Sequence, residues 1–436
     1  MKLSVIGCGY LGAVHAASMA KLGHQVVGVD VDAQRVALLS AGQAPFFEPE
    51  LPEILAEAGQ TGRLRFTTDM SKVAEATVHF IAVGTPQRHD GNAADLTYVE
   101  AAVDGLLPYL NADHLVVGKS TVPVGTATRL AAHVAETGAT LVWNPEFLRE
   151  GFAVKDTITP DRLVYGVPAG DAGARATQIL DEVYAAAIGA GIPRIVTDLA
   201  TAELVKVAAN AFLATKISFI NAMAEIAEVT GADVTQLADA IGYDERIGRR
   251  FLGAGIGFGG GCLPKDIRAF TARAEELGRG SSVAFLKEVD AINLRRREHA
   301  VTLVVDGLGG SVVAKRIAVL GASFKPHSDD IRDSPALDVA VRLHGLGANV
   351  VVTDPQAIEN ARRVHPHLHY ELDRDTALAG ADAVIVVTEW DEYRRELSPE
   401  HAASLATGRL IVDGRNCLDP AAWRAAGWEY RGMGRQ

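Results

Sequence analysis

The chain has 436 residues, 48% hydrophobic and 22% charged, a length and balance that fit two or three globular cores. A net charge of −12 argues against a nucleic-acid partner, whose grip rests on neutralising phosphates, while leaving room for a small anion in a locally basic pocket. Three scattered cysteines (Cys8, Cys262, Cys417) with no CxxC pair or Cys/His cluster predict no metal site and a reducing, cytoplasmic setting; the opening MKLSVIGCGYLG has no signal-peptide layout, and the apolar runs are too short to predict a membrane partner.

In chain order, KLSVIG, QVVGVD, VHFIAVG, HLVVGKS and TLVWN read as buried strands, with helical stretches such as Ala13 to Leu22 between them. That rhythm predicts βαβ units on a parallel sheet. Gly7-Cys8-Gly9-Tyr10-Leu11-Gly12 is GxGxxG. It follows a strand, opens a helix and precedes a second strand ending in Asp30, the context of a dinucleotide site. Gly7 is expected to make the tight turn, Gly9 to admit a pyrophosphate and Gly12 to let helix and strand pack, with helix N–H groups facing the phosphates. Asp30 would accept from ribose hydroxyls and repel a 2′-phosphate, so NAD is favoured over NADP, with Arg35 leaving some NADP use open. The alternative is a glycine turn without a ligand. Cys8, in a crowded turn, is expected to be structural.

Two further strand ends carry polar groups, Thr85 in VGTP and Thr121 in KSTVPVGT. Ligands in open α/β sheets bind beyond such ends, so both are candidates for the nicotinamide side; each can instead cap the next helix. From Asp198 to Thr230 the chain reads as one long Ala-rich helix ending at Gly231, with more helix expected from Ser281 to Val305. This block is expected to join two lobes and to offer a dimer surface. Along it Lys206, Asn210, Asn221 and Glu225 fall within an arc of about 100°. A solvated face is the plainer reading and is preferred for Glu225. Lys206 and Asn210, one turn apart, can both address one oxygen, which suits oxyanion stabilisation.

GFGGGCLPKD sets Cys262 among glycines, a poor way to build a core and a good way to let a reactant approach a sulfur. Lys265 favours a thiolate and Asp266 opposes one, so Asp266 fits a water or Lys206 better. The alternative, a small buried hydrophobe, is applied to Cys417. A hydride acceptor together with a nucleophilic cysteine predicts oxidation through a thiohemiacetal and thioester to a carboxylate.

Past Gly310, KRIAVLGASF resembles MKLSVIGCGY and ANVVVTD resembles HQVVGVD, with ADAVIVVTEW and RLIVDGRN continuing the sheet. The second domain lacks the glycine turn, reading ASFKP after Gly321. The expected architecture is α/β: two Rossmann-like doubly wound domains (1–197 and 309–436) joined by a central long helix and helical domain (198–308).

Further motifs accumulate in order: VGTP at Val83 to Pro86, STVPVGT at Ser120 to Thr126, NPEFLREG at Asn144 to Gly151, ELVKVAANAFLATKISFIN, IGYDERIG, FLGAGIGFGGGCLPKD and GASFKPHSDDIRDSP. With GCGYLG they resemble, over nearly the whole chain, the UDP-glucose/GDP-mannose dehydrogenase family. The resemblance implies a four-electron oxidation of a sugar C6 by two NAD⁺, with UDP-glucose favoured by FKP and the FLGAGIGFGG segment. GDP-mannose and a UDP-N-acetylhexosamine are the alternative substrates. A catalytically dead nucleotide sensor is the non-enzyme alternative, against which intact Cys262, Lys206, Asn210 and Asp266 argue.

By the same resemblance Cys262 is the covalent nucleophile, Lys206 and Asn210 hold the C6 oxygen, Glu146 is the acid/base, and Asp266 with Thr121 orders the hydrolytic water. Tyr10, Leu11, Thr85, Thr121, Glu150, Lys265 and Arg332 join the glycine turn, Asp30 and Arg35 on NAD. Glu146, Phe147, Leu148, Arg149, Glu150, Lys206 and Asn210 border the sugar nucleotide. So do Phe251, Leu252, Gly253, Ala254, Gly255, Gly259 and Lys325. Arg246 either reaches a neighbouring subunit's substrate or pairs with Asp244 or Glu245. The chain departs from the family pattern at Ala222, Gly261 and Ser328, and none of these removes a proposed catalytic group.

Overall fold

The structure, a computed structural model, describes residues 1–435. Packing divides it into two compact units, residues 1–209 with 272–278, and residues 210–271 with 279–435. The long helix Leu199–Thr230 belongs to both.

The first unit is built on eight strands: β1 (Lys2–Ile6), β2 (Gln25–Val29), β3 (Leu64–Thr67), β4 (Val78–Ile81), β5 (Leu115–Gly118), β6 (Thr140–Trp143), β7 (Leu163–Gly166) and β8 (Arg194–Thr197), in the order β3-β2-β1-β4-β5-β6-β7-β8. Its central strands are apolar on both faces because helices cover both. In β1, Leu3 and Val5 join one core cluster and Ile6 another. The expected parallel pairing holds from β3 to β6. β7 then runs antiparallel to β6 through Trp143 and Gly166. Trp143 lies fully buried across Gly118, where an added Cβ would sit 2.1 Å from its ring.

The second unit carries β9 (Arg316–Leu320), β10 (Asn349–Thr353), β11 (His369–Tyr370), β12 (Ala383–Val386), β13 (Leu410–Asp413) and β14 (Glu429–Gly432), all parallel in the order β11-β10-β9-β12-β13-β14. This is the 3-2-1-4-5-6 order of a doubly wound nucleotide-binding sheet, and the first six strands of the other sheet follow it too. The second sheet differs at its first turn. Where Asp30 stands in the first sheet, Asp354 is buried and accepts from the N–H groups of Ala322 and Ser323 and from Trp390 Nε1 at 2.8–3.0 Å. Its carboxylate is consumed internally.

Helix ends move by a few residues from the sequence expectation. The first helix is Tyr10–Lys21, starting inside the glycine motif with Gly9 as its N-cap. The late helix is Phe285–Gly307, preceded by a 3₁₀ turn at Gly280–Val283. Among the described residues Leu199–Thr230 is the one helix long and apolar enough, by length and composition, to cross a bilayer. Two of its buried polar side chains nonetheless find partners inside the protein. Ser218 donates to Val289 O at 2.7 Å, and Asn221 accepts from Gly255 N at 2.9 Å. These are the contacts of a core helix.

Candidate active site

The first unit holds the dinucleotide turn. Gly7 has φ +86°, and a Cβ there would meet Val83 at 2.6 Å. A Cβ on Gly12 would lie 1.8 Å from Gly7 O, so helix and turn touch backbone to backbone. Nothing lies within 4 Å of a Cβ on Gly9. The helix behind it has no side-chain cap and no acid in its first turn. Open space, bare N–H groups and the positive helix end together fit a pyrophosphate.

Asp30 closes the turn. Its carboxylate accepts from Cys8 N at 2.6 Å and Asp32 N at 2.9 Å, and pairs with Arg35 at 3.1 Å. The residue expected to admit NADP is thus turned onto the residue expected to repel it. Cys8 is wholly buried, and burial, then Asp30, pushes its thiol pKa up, which matches a structural thiol.

The loops after β4 and β5 are tied together: Thr85 Oγ1 donates to Thr121 O at 2.8 Å, and Ser120 Oγ donates to Val83 O at 2.7 Å. Neither threonine is an N-cap, since the next helices start at Leu96 and Gly125 caps. After β6, Glu146 is 14% exposed and pairs with Lys119 at 3.0 Å. Its other oxygen accepts from the N–H groups of Phe147 and Leu148 at 2.8 and 3.2 Å. The Phe147 ring lies 3.9 Å from the Arg162 guanidinium and 5.4 Å from Lys206 Nζ, so Lys206 comes to the loop that carries Glu146. Leu148 packs against the core, Arg149 forms a bidentate pair with Asp156, and Glu150 is buried.

Two buried carboxylates that sequence reading missed hold these loops. Glu48 accepts from Gly151 N at 2.6 Å, Ala153 N at 2.7 Å and the Tyr10 hydroxyl, joining the dinucleotide turn to the Glu146–Glu150 loop. Burial pushes the pKa of Glu48 up despite these donors. Glu203 of the long helix accepts from Gly125 N and Ala127 N at 2.7 and 2.6 Å, satisfying the start of the helix Thr126–Ala135. No local motif marks either residue; their backbone donors lie 76 to 105 positions away.

In the second unit Cys262 is exposed and stands immediately before the helix Leu263–Glu276, its carbonyl accepting the first helical bond from Asp266 N at 3.0 Å. A thiol at a helix N-terminus is where a thiolate is favoured. Asp266 is buried and accepts from Lys265 Nζ at 2.6 Å and Asn210 Nδ2 at 2.7 Å. Asn210, Lys265 and Asp266 are therefore one cluster beside the cysteine. Glu225 is half-exposed and 3.6 Å from Arg295, as a solvated-face residue should be.

The glycines before Cys262 have a different reason from the one expected. A Cβ on Gly259 would meet Asp333 O at 2.2 Å, on Gly260 the Phe324 ring at 2.8 Å, and on Gly261 the Arg332 guanidinium at 2.2 Å. They admit protein backbone and side chains rather than an open corridor, and the sulfur is reached beyond them. Arg297 and Arg268 fix Asp333 at 2.9 and 3.3 Å, and Arg415 donates to Gly257 O at 2.8 Å and Phe324 O at 3.1 Å. None of these arginines was singled out from sequence.

Of the segment expected on the nucleotide, the Leu252 and Ala254 side chains are buried in a local core. What it can present is the exposed backbone of Gly253, with exposed Phe251 held at φ +65°, while Gly255 is buried and its N–H donates to Asn221. Lys325 lies 5.5 Å from the Phe324 ring centroid, and Arg332 pairs with Asp330 at 2.6 Å. Arg246 pairs with Asp244 at 2.7 Å and is 89% exposed, the salt-bridge alternative.

A doubly wound sheet with a bare glycine turn and a ribose-type carboxylate, in a chain that also displays a cysteine at a helix start, defines a dinucleotide-dependent dehydrogenase. Residues 1–188 match the UDP-glucose/GDP-mannose dehydrogenase family, NAD binding domain; residues 200–295 match its central domain and 318–420 its UDP binding domain. The chain is 42% identical to the UDP-glucose 6-dehydrogenase of Rhizobium meliloti over all of both chains. It is 40% identical to UDP-glucose 6-dehydrogenase YwqF of Bacillus subtilis, covering 100% of this chain and 98% of that one. A solved UDP-glucose dehydrogenase from Pyrobaculum islandicum superposes with a TM-score of 0.90 at 41% identity, covering 100% of this chain and 98% of that one. The chain belongs to the UDP-glucose/GDP-mannose dehydrogenase family, an NAD-dependent nucleotide-sugar dehydrogenase.

Proposed function

We propose that the protein oxidises UDP-glucose at C6 to UDP-glucuronate. The carrying observation is Cys262 exposed at a helix start with Asn210, Lys265 and Asp266 clustered beside it. NAD⁺, held by the turn from Gly7 to Gly12 with Asp30, supplies the hydride acceptor. The alcohol loses a hydride and a proton to give the aldehyde. The Cys262 sulfur adds to C6 as a thiohemiacetal, and loss of a second hydride and proton gives a thioester. Water then displaces the sulfur, forming the carboxylate and returning the thiol, so two NAD⁺ and one water are consumed per sugar.

Lys206 and Asn210 stabilise charge on the C6 oxygen, Glu146 moves protons, and Asp266 and Thr121 order the attacking water. Glu150, Thr85, Lys265 and Arg332 act on the cofactor side. Phe147, Leu148 and Arg149, the backbone of 251–255, Gly259 and Lys325 border the sugar nucleotide. The chain works in the cytoplasm as a homo-oligomer. Phe212, Phe219 and Ile226 recur every seventh position on the long helix and stay exposed with Val229, the spacing of a helix seam seeking a partner.

The test is NADH absorbance with each sugar nucleotide in turn. Two NADH per UDP-glucose are expected. A faster reaction with GDP-mannose or a UDP-N-acetylhexosamine would reassign the substrate, and saturable NAD⁺ binding with no NADH from any sugar would leave a nucleotide sensor.

A further inference from the structure

Lys119 has no role in the chemistry described so far. It is 4% exposed, at the carboxyl end of β5. An ammonium carries three donors, and Lys119 Nζ meets three acceptors: Glu146 Oε2 at 3.0 Å, Asn144 Oδ1 at 3.2 Å and the Tyr184 hydroxyl at 3.3 Å. The acceptors are themselves fixed. Tyr184 donates to Asn144 Oδ1 at 2.6 Å, and Asn144 Nδ2 donates to Val164 O in β7 at 3.0 Å. A buried lysine without a carboxylate would shed its proton. Here burial works against the charge, while Glu146 and then Tyr184 overcome it and the net shift is upward.

From this geometry we infer that Lys119 is a positioning residue that pairs with the Glu146 carboxylate and holds it in one orientation, aimed to take a proton. The inference rests on the proposed acid/base role of Glu146. With one oxygen on Lys119 and the other on the Phe147 and Leu148 amides, the carboxylate has no rotational freedom to spend on reaction. Lys119, Asn144, Glu146, Tyr184, Asp156, Arg162 and His15 line one small cavity. Arg162 and Lys206 face the adjacent Phe147 ring, and Asp156 is neutralised by Arg149. His15 is wholly buried, and burial, then Lys119, pushes its pKa far down, so it stays neutral. Lys119 is therefore the only one of these cations in ion-pair contact with Glu146.

The experiment is the pH profile of kcat for the parent, Lys119→Met, Lys119→Arg and Glu146→Gln, with KM for NAD⁺ and for the sugar nucleotide at each pH. Losing an adjacent cation raises the proton affinity of a carboxylate by roughly one to three pH units. The acid limb of Lys119→Met should move up by that amount, with KM for NAD⁺ within about twofold of the parent. Lys119→Arg should return the limb towards its parental place, because it restores the charge. A parental acid limb in Lys119→Met, with Glu146→Gln inactive, overturns the role of Lys119 alone. If Glu146→Gln keeps the parental rate and limb, the assignment of Glu146 fails instead. Should Lys119→Met not fold, Lys119→Arg carries the test: a limb displaced by more than about one unit despite the retained charge overturns the inference.

Discussion

Replacing Asp30 by Ala isolates the carboxylate that serves the turn and is proposed to accept from the ribose. Three contacts within the protein go at once, those with Cys8 N–H, Asp32 N–H and Arg35. The Cys8 N–H, buried and 2.6 Å from the carboxylate, is left unsatisfied, which costs about 1–3 kcal/mol. The Arg35 pair, with arginine 35% exposed, contributes under about 1 kcal/mol. Stability should fall by about 2 kcal/mol, lowering Tm by roughly 5 °C. Hydrogen bonds from ribose hydroxyls to a charged acceptor are worth about 1.5–3 kcal/mol, so Kd for NAD⁺ should rise roughly 10- to 150-fold. Asp30→Asn separates the effects. Its carbonyl can still serve Cys8 N–H, so Tm should recover, while Arg35 is released and the preference for NAD⁺ over NADP⁺ should shrink. Isothermal titration with both dinucleotides, alongside thermal unfolding, reads both Kd values and Tm for each variant. An unchanged Kd for NAD⁺ in Asp30→Ala would refute the ribose contact, and an unchanged Tm would refute the argument from the buried N–H.

Other perturbations reach other parts of the protein. Cys262→Ser should stop the reaction short of free acid; chromatography showing normal uronate from that variant would remove the covalent step. Phe219→Glu should shift the sedimentation coefficient towards monomer, whereas an unchanged oligomer would place the contact elsewhere. Burial, then His114, lowers the His79 pKa from 6.5 to about 3. A depressed folded pKa means stability present above pH 6.5 and lost as pH falls towards 3, worth about 3 kcal/mol by pH 4. In urea melts at pH 7 and pH 4, His79→Gln should lose less stability between the two than the parent; equal losses would show that another group carries the acid sensitivity. Glu48→Leu strands the amides of Gly151 and Ala153 and should cost about 3 kcal/mol, read as a fall of several degrees in Tm.

How much was legible depended on the range of the signal. The strands at KLSVIG, QVVGVD and HLVVGKS stood out because strands covered on both faces are continuous apolar runs. β3, β7, β8, β11 and β14 did not. β11 has two residues, and β8 reads RIVT with its first three residues exposed. The antiparallel turn of β7 against β6 has no local code. In the site, the glycine turn and the resemblance motifs could be read locally, whereas Asp266, expected to meet a water or Lys206, accepts from Asn210 and Lys265. Nor could Lys119, Glu48, Glu203 and Arg415 be read, since an isolated charge in apolar sequence looks alike whether it meets water or a partner 78 residues away.

The sequence alone determined that this chain builds two nucleotide-type sheets, that only the first keeps a phosphate-binding turn, and that one cysteine, Cys262, sits among glycines. These are consequences of backbone allowance and side-chain period, which neighbouring residues settle among themselves. Tertiary structure decided what surrounds them: that Asp354 is spent inside its own turn, that the glycines before Cys262 make room for Asp333, Phe324 and Arg332, and that Glu146 is clasped by a buried lysine. Electrostatics and packing act through space, so their outcome depends on which distant residues folding brings within about 3 Å.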